Sequence, residues 1–400
     1  MAKLIVLFVI AFVDTIGAAL VVPILPFYAT RYGATALLVG LLISAFSIAQ
    51  LISAPTWGRM SDKYGRRPAI LFGLLISTAS YVVFAFAHSW QLLLISRLVQ
   101  GLGAGTIGAV SAYVADASTP EQRTKAIGWL TTVTSLGWLS GSALGSVLVT
   151  IGGERAPGLF TAGFSLIVAI FAARFLVESK EMRVSGTFNV PPKVTTGREA
   201  IRHVFARWGD PAPRLIWIYA VAIGAFYGTA AVMPLLFQER LGITEKTIGY
   251  IVMYFAGVGV VVRAGILGRM VDWLGEPRLS RFGIVLLAAG LAMAGIARNH
   301  LLIYASFTLM PVGTAFLFPC VSGMLARIVP SNERGLYLGV QQTFGGVARV
   351  AFPIGAGLLM DHFNRGTPFV LAAVLTLATL PLALGIEMPK AAPPPAPAPA

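Results

Sequence analysis

Apolar residues run along this chain in long stretches parted by short polar turns. Twelve stretches reach the roughly 20 residues a helix needs to cross a bilayer core. They lie near 4–29, 36–57, 68–87, 90–115, 122–150, 157–177, 214–237, 246–268, 279–297, 300–327, 334–360 and 366–386. The pattern predicts an all-α membrane protein whose first stretch, which lacks a small-residue cleavage site, is a retained span. An even number of spans puts both termini on one side.

The polar turns say which side. Turns and termini on the N-terminal side carry 20 Lys and Arg against six on the other, with Arg97, Arg174, Arg263 and Arg349 inside spans. That asymmetry places the termini and the long central loop in the cytoplasm. The turn Gly58-Arg-Met-Ser-Asp62-Lys-Tyr-Gly65-Arg66-Arg67 returns in degraded form as Gly268-Arg-Met-Val-Asp272-Trp-Leu-Gly275-Glu-Pro-Arg278. Other positions keep an offset of 209 to 211: Gly17 with Gly228, Pro23 with Pro234, Gly40 with Gly249, Arg123 with Arg334 and Gly128 with Gly339. The order of these pairs marks a duplication, a common plan of secondary transporters.

Two bundles follow from the duplication, residues 1–177 and 214–388. Between them, 178–213 is a polar linker with Pro191 and Pro192. Within it Ile201, Val204, Phe205 and Trp208 fall at helical spacing opposite Arg198, Arg202 and Arg207, which suits a short helix on the cytoplasmic membrane surface. Residues 389–400, all Pro, Ala and one Lys, predict a disordered tail.

Composition narrows the classes. With 56% apolar and 12% charged residues, the chain cannot hide its apolar surface in a soluble core. Its net charge of +14 follows from basic loops, so the lipid bilayer rather than nucleic acid is the expected partner. The single cysteine, Cys320, sits in an apolar span and allows no disulfide framework. No Walker sequence, G-x-S-x-G or H-E-x-x-H occurs, and the four histidines fall in or near loops. An enzyme, a metal site and a cofactor are therefore not expected.

The Gly58 to Arg67 turn matches at every specified position the signature G-x-x-x-D-R/K-x-G-R-R/K found between spans 2 and 3 of the major facilitator superfamily. The chain resembles its twelve-span drug:proton antiporters of the tetracycline-efflux type. Asp14-Thr-Ile-Gly17 with Pro23 and Pro26 is similar to their span 1 pattern, and Arg97-Leu-Val-Gln100-Gly101 to the span 4 pattern R-x-x-Q-G. Span 5 keeps the glycine skeleton of the antiporter motif in Gly128, Gly137, Gly141 and Gly145, but Ser142 and Ser146 stand where the motif has Pro and Gly. The resemblance implies twelve transmembrane helices in two pseudo-symmetric six-helix bundles, the major facilitator fold.

Individual residues then acquire candidate roles. Asp14 lies about 15 Å along span 1, near the bilayer midplane. An ionised carboxylate there costs about 2.5–3.5 kcal/mol on the lenient insertion scale, so it should face a wet cavity or a partner, or hold a proton. A structural hydrogen bond between helices is the other possibility. Arg97 is the natural counter-charge, whether in a switchable pair or a fixed one, and Gln100 extends the polar track. Arg349 and Arg263 lie deep in spans 11 and 8. Phe226, Tyr227, Trp138, Gln341 and Gln342 are candidates to line a pocket. Asp62, Arg66 and Arg67, with Gly58 and Gly65, read as a conformational latch: Asp62 caps a helix or reaches the end of span 11, and Asp116 pairs with Arg66 or Arg67. The span 5 glycines allow close helix approach, which the resemblance assigns to span 8.

These readings lead to a secondary active transporter of the bacterial inner membrane, monomeric. It is expected to exchange protons for a small-molecule substrate and to export small amphiphilic compounds by alternating access. A carrier of an anionic metabolite, siderophore or lipid is the alternative that Arg97, Arg263 and Arg349 suggest. A transport-dead scaffold is the other, against which the intact Asp14, Arg97 and latch turn speak.

Overall fold

A computed structural model of the chain describes residues 2–118, 120–176, 178 and 196–386. The expected tail at 389–400 and most of the first part of the linker, with Pro191 and Pro192, lie outside these residues. All regular structure among the described residues is helical. In hydrocarbon a helix satisfies its own backbone, so the apolar stretches are helical.

In chain order the helices are α1 (Ala2–Val21), α2 (Leu25–Arg31), α3 (Ala36–Tyr64), α4 (Arg66–Ala85), α5 (Trp90–Gly103), α6 (Gly105–Asp116), α7 (Pro120–Gly152) and α8 (Ala156–Phe175). The second half holds α9 (Gly197–Ala206), α10 (Pro211–Leu241), α11 (Ile248–Val261), α12 (Leu267–Leu274), α13 (Glu276–Ile296), α14 (His300–Ile328), α15 (Arg334–His362), α16 (Thr367–Leu377) and α17 (Leu380–Ala383). Eleven helical runs are long and apolar enough to span a bilayer, and Thr367–Ala383 is a shorter apolar one. The stretch expected as one span at 366–386 is thus two short helices. The ring of Pro381 clashes with a helical carbonyl four residues back, which ends α16 at Leu377.

Two other breaks have local causes. Pro23 parts α1 from α2 within the first span. In span 4, Gly103-Ala104-Gly105 parts α5 from α6, and the indole N–H of Trp57 donates to the freed carbonyl of Leu102. Span 8 carries a π turn, Val262–Ile266, with Arg263 in it; such turns are frequent at functional sites.

The two halves of the chain meet along α3 with α15 and α7 with α11. A duplicated glycine makes each meeting. Gly40 lies against the carbonyl of Pro353, and its repeat partner Gly249 lies against the carbonyl of Ser142, the repeat partner of Pro353. Ser44 Oγ donates to Val350 O (2.7 Å), and Gly357 packs on Ala36 O. These contacts run from the end of the molecule where α3 begins and α15 finishes, called here the far face, to about the middle of α15. Toward the other end, the loop face, Gly58, Gly128, Gly265, Gly268, Gly335 and Gly339 have no heavy atom within 4 Å of where a Cβ would stand. The halves touch at the far face and diverge toward the loop face.

In the linker, α9 opens with a capping box in which Thr196 and Glu199 exchange hydrogen bonds. Those bonds hold the Glu199 carboxyl below the usual carboxylate range. Ala200 and Val204 are fully buried, and Phe205 sets its ring on Trp217 and Phe344 while remaining exposed like Ile201 and Trp208. The apolar stripe is therefore divided between the protein and the surroundings.

Candidate functional site

Where the halves diverge they enclose a cavity of about 540 Å³. The broken span 4 shapes one wall through Ala104, Gly105 and Gly108, beside Trp57 and Gln50 of α3. Gln342, Gly346 and Arg349 of α15 form the facing wall, and Ser61 and Arg66 mark the loop-face mouth. Gly105 is needed at the break because a Cβ there would meet the Trp57 ring at 2.1 Å.

In the first half, Asp14 of α1 is half-buried and makes no hydrogen bond or ion pair among the described residues. One turn on, Gly17 leaves room for the hydroxyl of Tyr81, 2.6 Å from where a Cβ would stand. Tyr81 lies within electrostatic reach of Asp14. Gln100 Nε2 donates to Tyr81 Oη (2.8 Å), and Arg97 Nη1 donates to Gln100 Oε1. Arg97 is 3% exposed, stands 4.9 Å from the centre of the Phe46 ring, and keeps a buried Nε–H without an acceptor. The expected counter-ion of Asp14 thus makes no ion pair with it; the amide and the phenol stand in the track instead. Tyr81 carries no charge and belongs to no motif, so nothing in the sequence singled it out.

In the second half, the Arg349 guanidinium lies 5.6 Å from the centre of the Tyr227 ring. It donates to Gln342 Oε1 (3.4 Å) and Gly345 O (3.3 Å), and Gln342 also bonds Tyr219 (3.2 Å). Arg263 reaches Tyr227 electrostatically and has no hydrogen bond or ion pair among the described residues. Phe226 stacks on Phe255 at 5.7 Å. Gln341 turns away to accept from Ser322 (3.1 Å), as two adjacent helical residues cannot share a face. Trp138 is 38% exposed and does not line the cavity.

The latch residues close a network within the first half. Arg66 pairs with Asp62 (2.9 Å) and Asp116 (3.2 Å) and donates to Ser61 Oγ. The carboxylate of Glu178 accepts from the Arg66 and Arg67 amides (2.9 and 3.2 Å) beside Gly65, whose φ of 112° suits glycine. Arg67 also donates to Ala173 O. Asp62 does not reach span 11 here; its side chain is mostly exposed, because the halves stand apart at this face.

Ion pairs between the halves occur at the far face instead. Arg31 pairs with Glu154 of its own half and with Glu245 of the other. Asp361 of α15 accepts from the amides of Ala36 (2.9 Å) and Leu37 (2.8 Å), capping α3. An acid in the last turn of a helix opposes the helix dipole and so calls for a partner, a signal the sequence did contain.

The seam glycines require a correction. Gly137, Gly141 and Gly145 pack on α1, against Phe12 and Thr15, Ile16 and Ala19, and Leu20, and not on span 8. Gly128 packs on nothing. One residue round the helix, Ser142 and Ser146 face α11: Ser146 Oγ accepts from Gly249 N (2.9 Å) and donates to Glu245 O (2.7 Å). The serines that depart from the antiporter motif make the contact between halves.

The family model described as Major Facilitator Superfamily matches residues 7–304 and 264–400, and the chain belongs to that superfamily. It is a transporter rather than an enzyme. It is 27% identical over 378 residues to Multidrug resistance protein 1 of Bacillus subtilis (strain 168), covering 94% of this chain and 92% of that one. To the quinolone resistance protein NorA of Staphylococcus aureus (strain MRSA252) it is 24% identical, covering 96% of each. Among solved structures, the nucleoside transporter NupG superposes with a TM-score of 0.76 at 14% identity, over 96% of this chain and 99% of that one. The human organic anion transporter MFSD10 superposes with 0.68 at 23%, over 95% and 98%. These likenesses show the fold. Among the described residues no three His, Cys, Asp or Glu are grouped to hold a metal.

Proposed function

We propose that this chain is a proton-coupled exporter of small amphiphilic compounds, working as a monomer in the bacterial inner membrane by alternating access. The observation that carries the reading is Asp14, a carboxylate in the middle of a span with no ionic partner. Relatives that bear multidrug and quinolone resistance in their names support an exported drug-like cargo. In this reading Thr367–Ala383 is the twelfth span, the halves are two six-helix bundles, and the loop face is cytoplasmic. The cavity is then open to the cytoplasm and sealed toward the outside by Gly40, Gly249, Asp361 and Arg31.

The geometry yields a working cycle. Cargo enters from the cytoplasm while Asp14 is ionised, with the Tyr81 hydroxyl, held by Gln100, within electrostatic reach of it. Opening to the outside releases cargo and lets Asp14 take a proton. Neutral Asp14 costs less to carry through the closed intermediate than a lone carboxylate does, so the protonated return is the easy one. The exposed Ile201 of α9 and Trp208 just after it, with Arg198, Arg202 and Arg207 nearby, suit the cytoplasmic lipid surface.

Proteoliposomes with an imposed pH gradient and a fluorescent fluoroquinolone test the reading. Uphill movement of the drug that a protonophore abolishes is expected. Movement unaffected by the gradient in either direction would refute coupling.

A further inference from the structure

Arg349 of α15 and Arg263 of the π turn Val262–Ile266 bring positive charge toward Tyr227 of α10, and neither is paired with a carboxylate among the described residues. Arg349 and Arg263 each stand about the midpoint of their spans, Arg334–His362 and Ile248–Leu274. Both reach Tyr227. Arg349 lines the cavity, yet its only bonds are two long ones to neutral acceptors; Arg263 is exposed, stands outside the cavity lining and has no bond among the described residues. A guanidinium carries five N–H donors, so most of theirs are unused.

Four arginines at the ends of spans are compensated. Arg31, Arg66, Arg327 and Arg365 are each paired with a carboxylate. Of the 16 acids in the chain, only Asp14 lies in mid-span, and it belongs to the other half. A guanidinium at mid-span is costly to leave uncompensated unless something negative visits it. The aromatic surface beside them, Tyr227 with Phe226 on Phe255, offers stacking area for a ring.

Resting on the exporter reading above, we propose that Arg349, Arg263 and Tyr227 form an anion subsite that takes the carboxylate or sulfonate of a soluble aromatic amphiphile. The acid pairs with the Arg349 fork, Arg263 supplies the second positive charge, and the ring of the cargo lies along the aromatic wall. Cargo of this class keeps its charge away from Asp14, so both can be ionised in the cytoplasm-open state. A dication finds no such partner.

Three coumarins that share one ring system decide the matter: 7-(diethylamino)coumarin-3-carboxylate, its carboxamide, and a 3-trimethylammoniomethyl congener. Uptake is driven by a pH gradient in phosphatidylcholine proteoliposomes. The unmodified protein should rank carboxylate over amide over cation. Arg349→Gln should cut the carboxylate-to-amide ratio of kcat/KM by at least about tenfold, the scale of a lost charged hydrogen bond. Arg349→Lys should restore part of it, and Arg263→Gln should lower it in the same direction.

A protein that favours the cation, or whose ratio is untouched by both glutamine variants, overturns the subsite and leaves the exporter reading standing. If none of the three moves, the exporter reading falls, and calorimetry on purified protein still decides the subsite. Carboxylate binding weakened by Arg349→Gln supports it; no binding refutes it. Competition from phosphatidylglycerol with the same dependence on Arg349 would give the site to a lipid headgroup and overturn the soluble-cargo assignment.

Discussion

Replacing Gly40 by Ala should unseal the far face without harming the fold. The added Cβ would stand 2.1 Å from the backbone oxygen of Pro353, whereas carbon and oxygen settle at about 3.3 Å or more. A helix carbonyl cannot swing aside, so α3 and α15 must part by about 1 Å. Overpacking of this kind costs about 1–3 kcal/mol. The cost falls only on the state in which these helices touch, so the balance should move toward the far-face-open state by about 5- to 150-fold. Gly249→Ala, whose Cβ would meet Ser142 O at 2.0 Å, should act the same way from the other seam. Within each helix, alanine is the better former, which protects overall stability. Spin-label distances report the result in a Cys320→Ala background. A far-face pair at Ile151 and Lys246 should lengthen while a loop-face pair at Lys125 and Arg269 shortens. Gly355→Ala, on the same helix but with open space at its Cβ position, is the control. Unchanged distance distributions in both seam variants would refute the idea that glycine contact sets which face is sealed.

Asp361→Asn should weaken the cap on α3 by about 1 kcal/mol and raise maleimide labelling of a cysteine at Ile354; unaltered labelling would remove Asp361 from the seal. Asp62→Asn should slow turnover without changing the ranking of cargoes, because its partners here lie in its own half and its work belongs to the opposite state; unchanged turnover would end the latch reading. Tyr81→Phe leaves the buried Gln100 amide short of an acceptor, at a cost of about 1–3 kcal/mol, and should lower both thermal midpoint and gradient-driven transport, whereas a variant with full transport would show that the phenol is only packing.

The sequence made eleven of the twelve expected spans legible because bilayer thickness is a one-dimensional quantity. It exposed Asp14, Arg97, Gln100, Arg349 and Arg263 because a charged or amide group inside an apolar run has few reasons to be there. It did not show how these groups meet. Arg97 faces Gln100 and Phe46, not Asp14, since the side of a helix on which two charges lie depends on packing angles that spacing does not encode. The span 5 glycines pack on α1 and not on span 8, where the resemblance placed them: the stripes of Gly141 and Ser142 are one residue apart, and only the neighbouring backbones decide which faces α1 and which faces α11. Tyr81 was hidden because a phenol in a span is ordinary until a glycine on the next helix makes room for its hydroxyl. The break before Pro381 was readable in principle, but high hydropathy across 366–386 masked it.

The most direct test of proton coupling through Asp14 is the substitution Asp14→Asn, assayed in proteoliposomes for uphill transport and for exchange of labelled against unlabelled fluoroquinolone. Asparagine keeps the size and polarity of the side chain and cannot carry a proton. The account predicts that gradient-driven accumulation and the accompanying proton flux vanish while exchange at equal concentrations persists. Uphill transport at the unmodified rate, with protons still flowing, would contradict it.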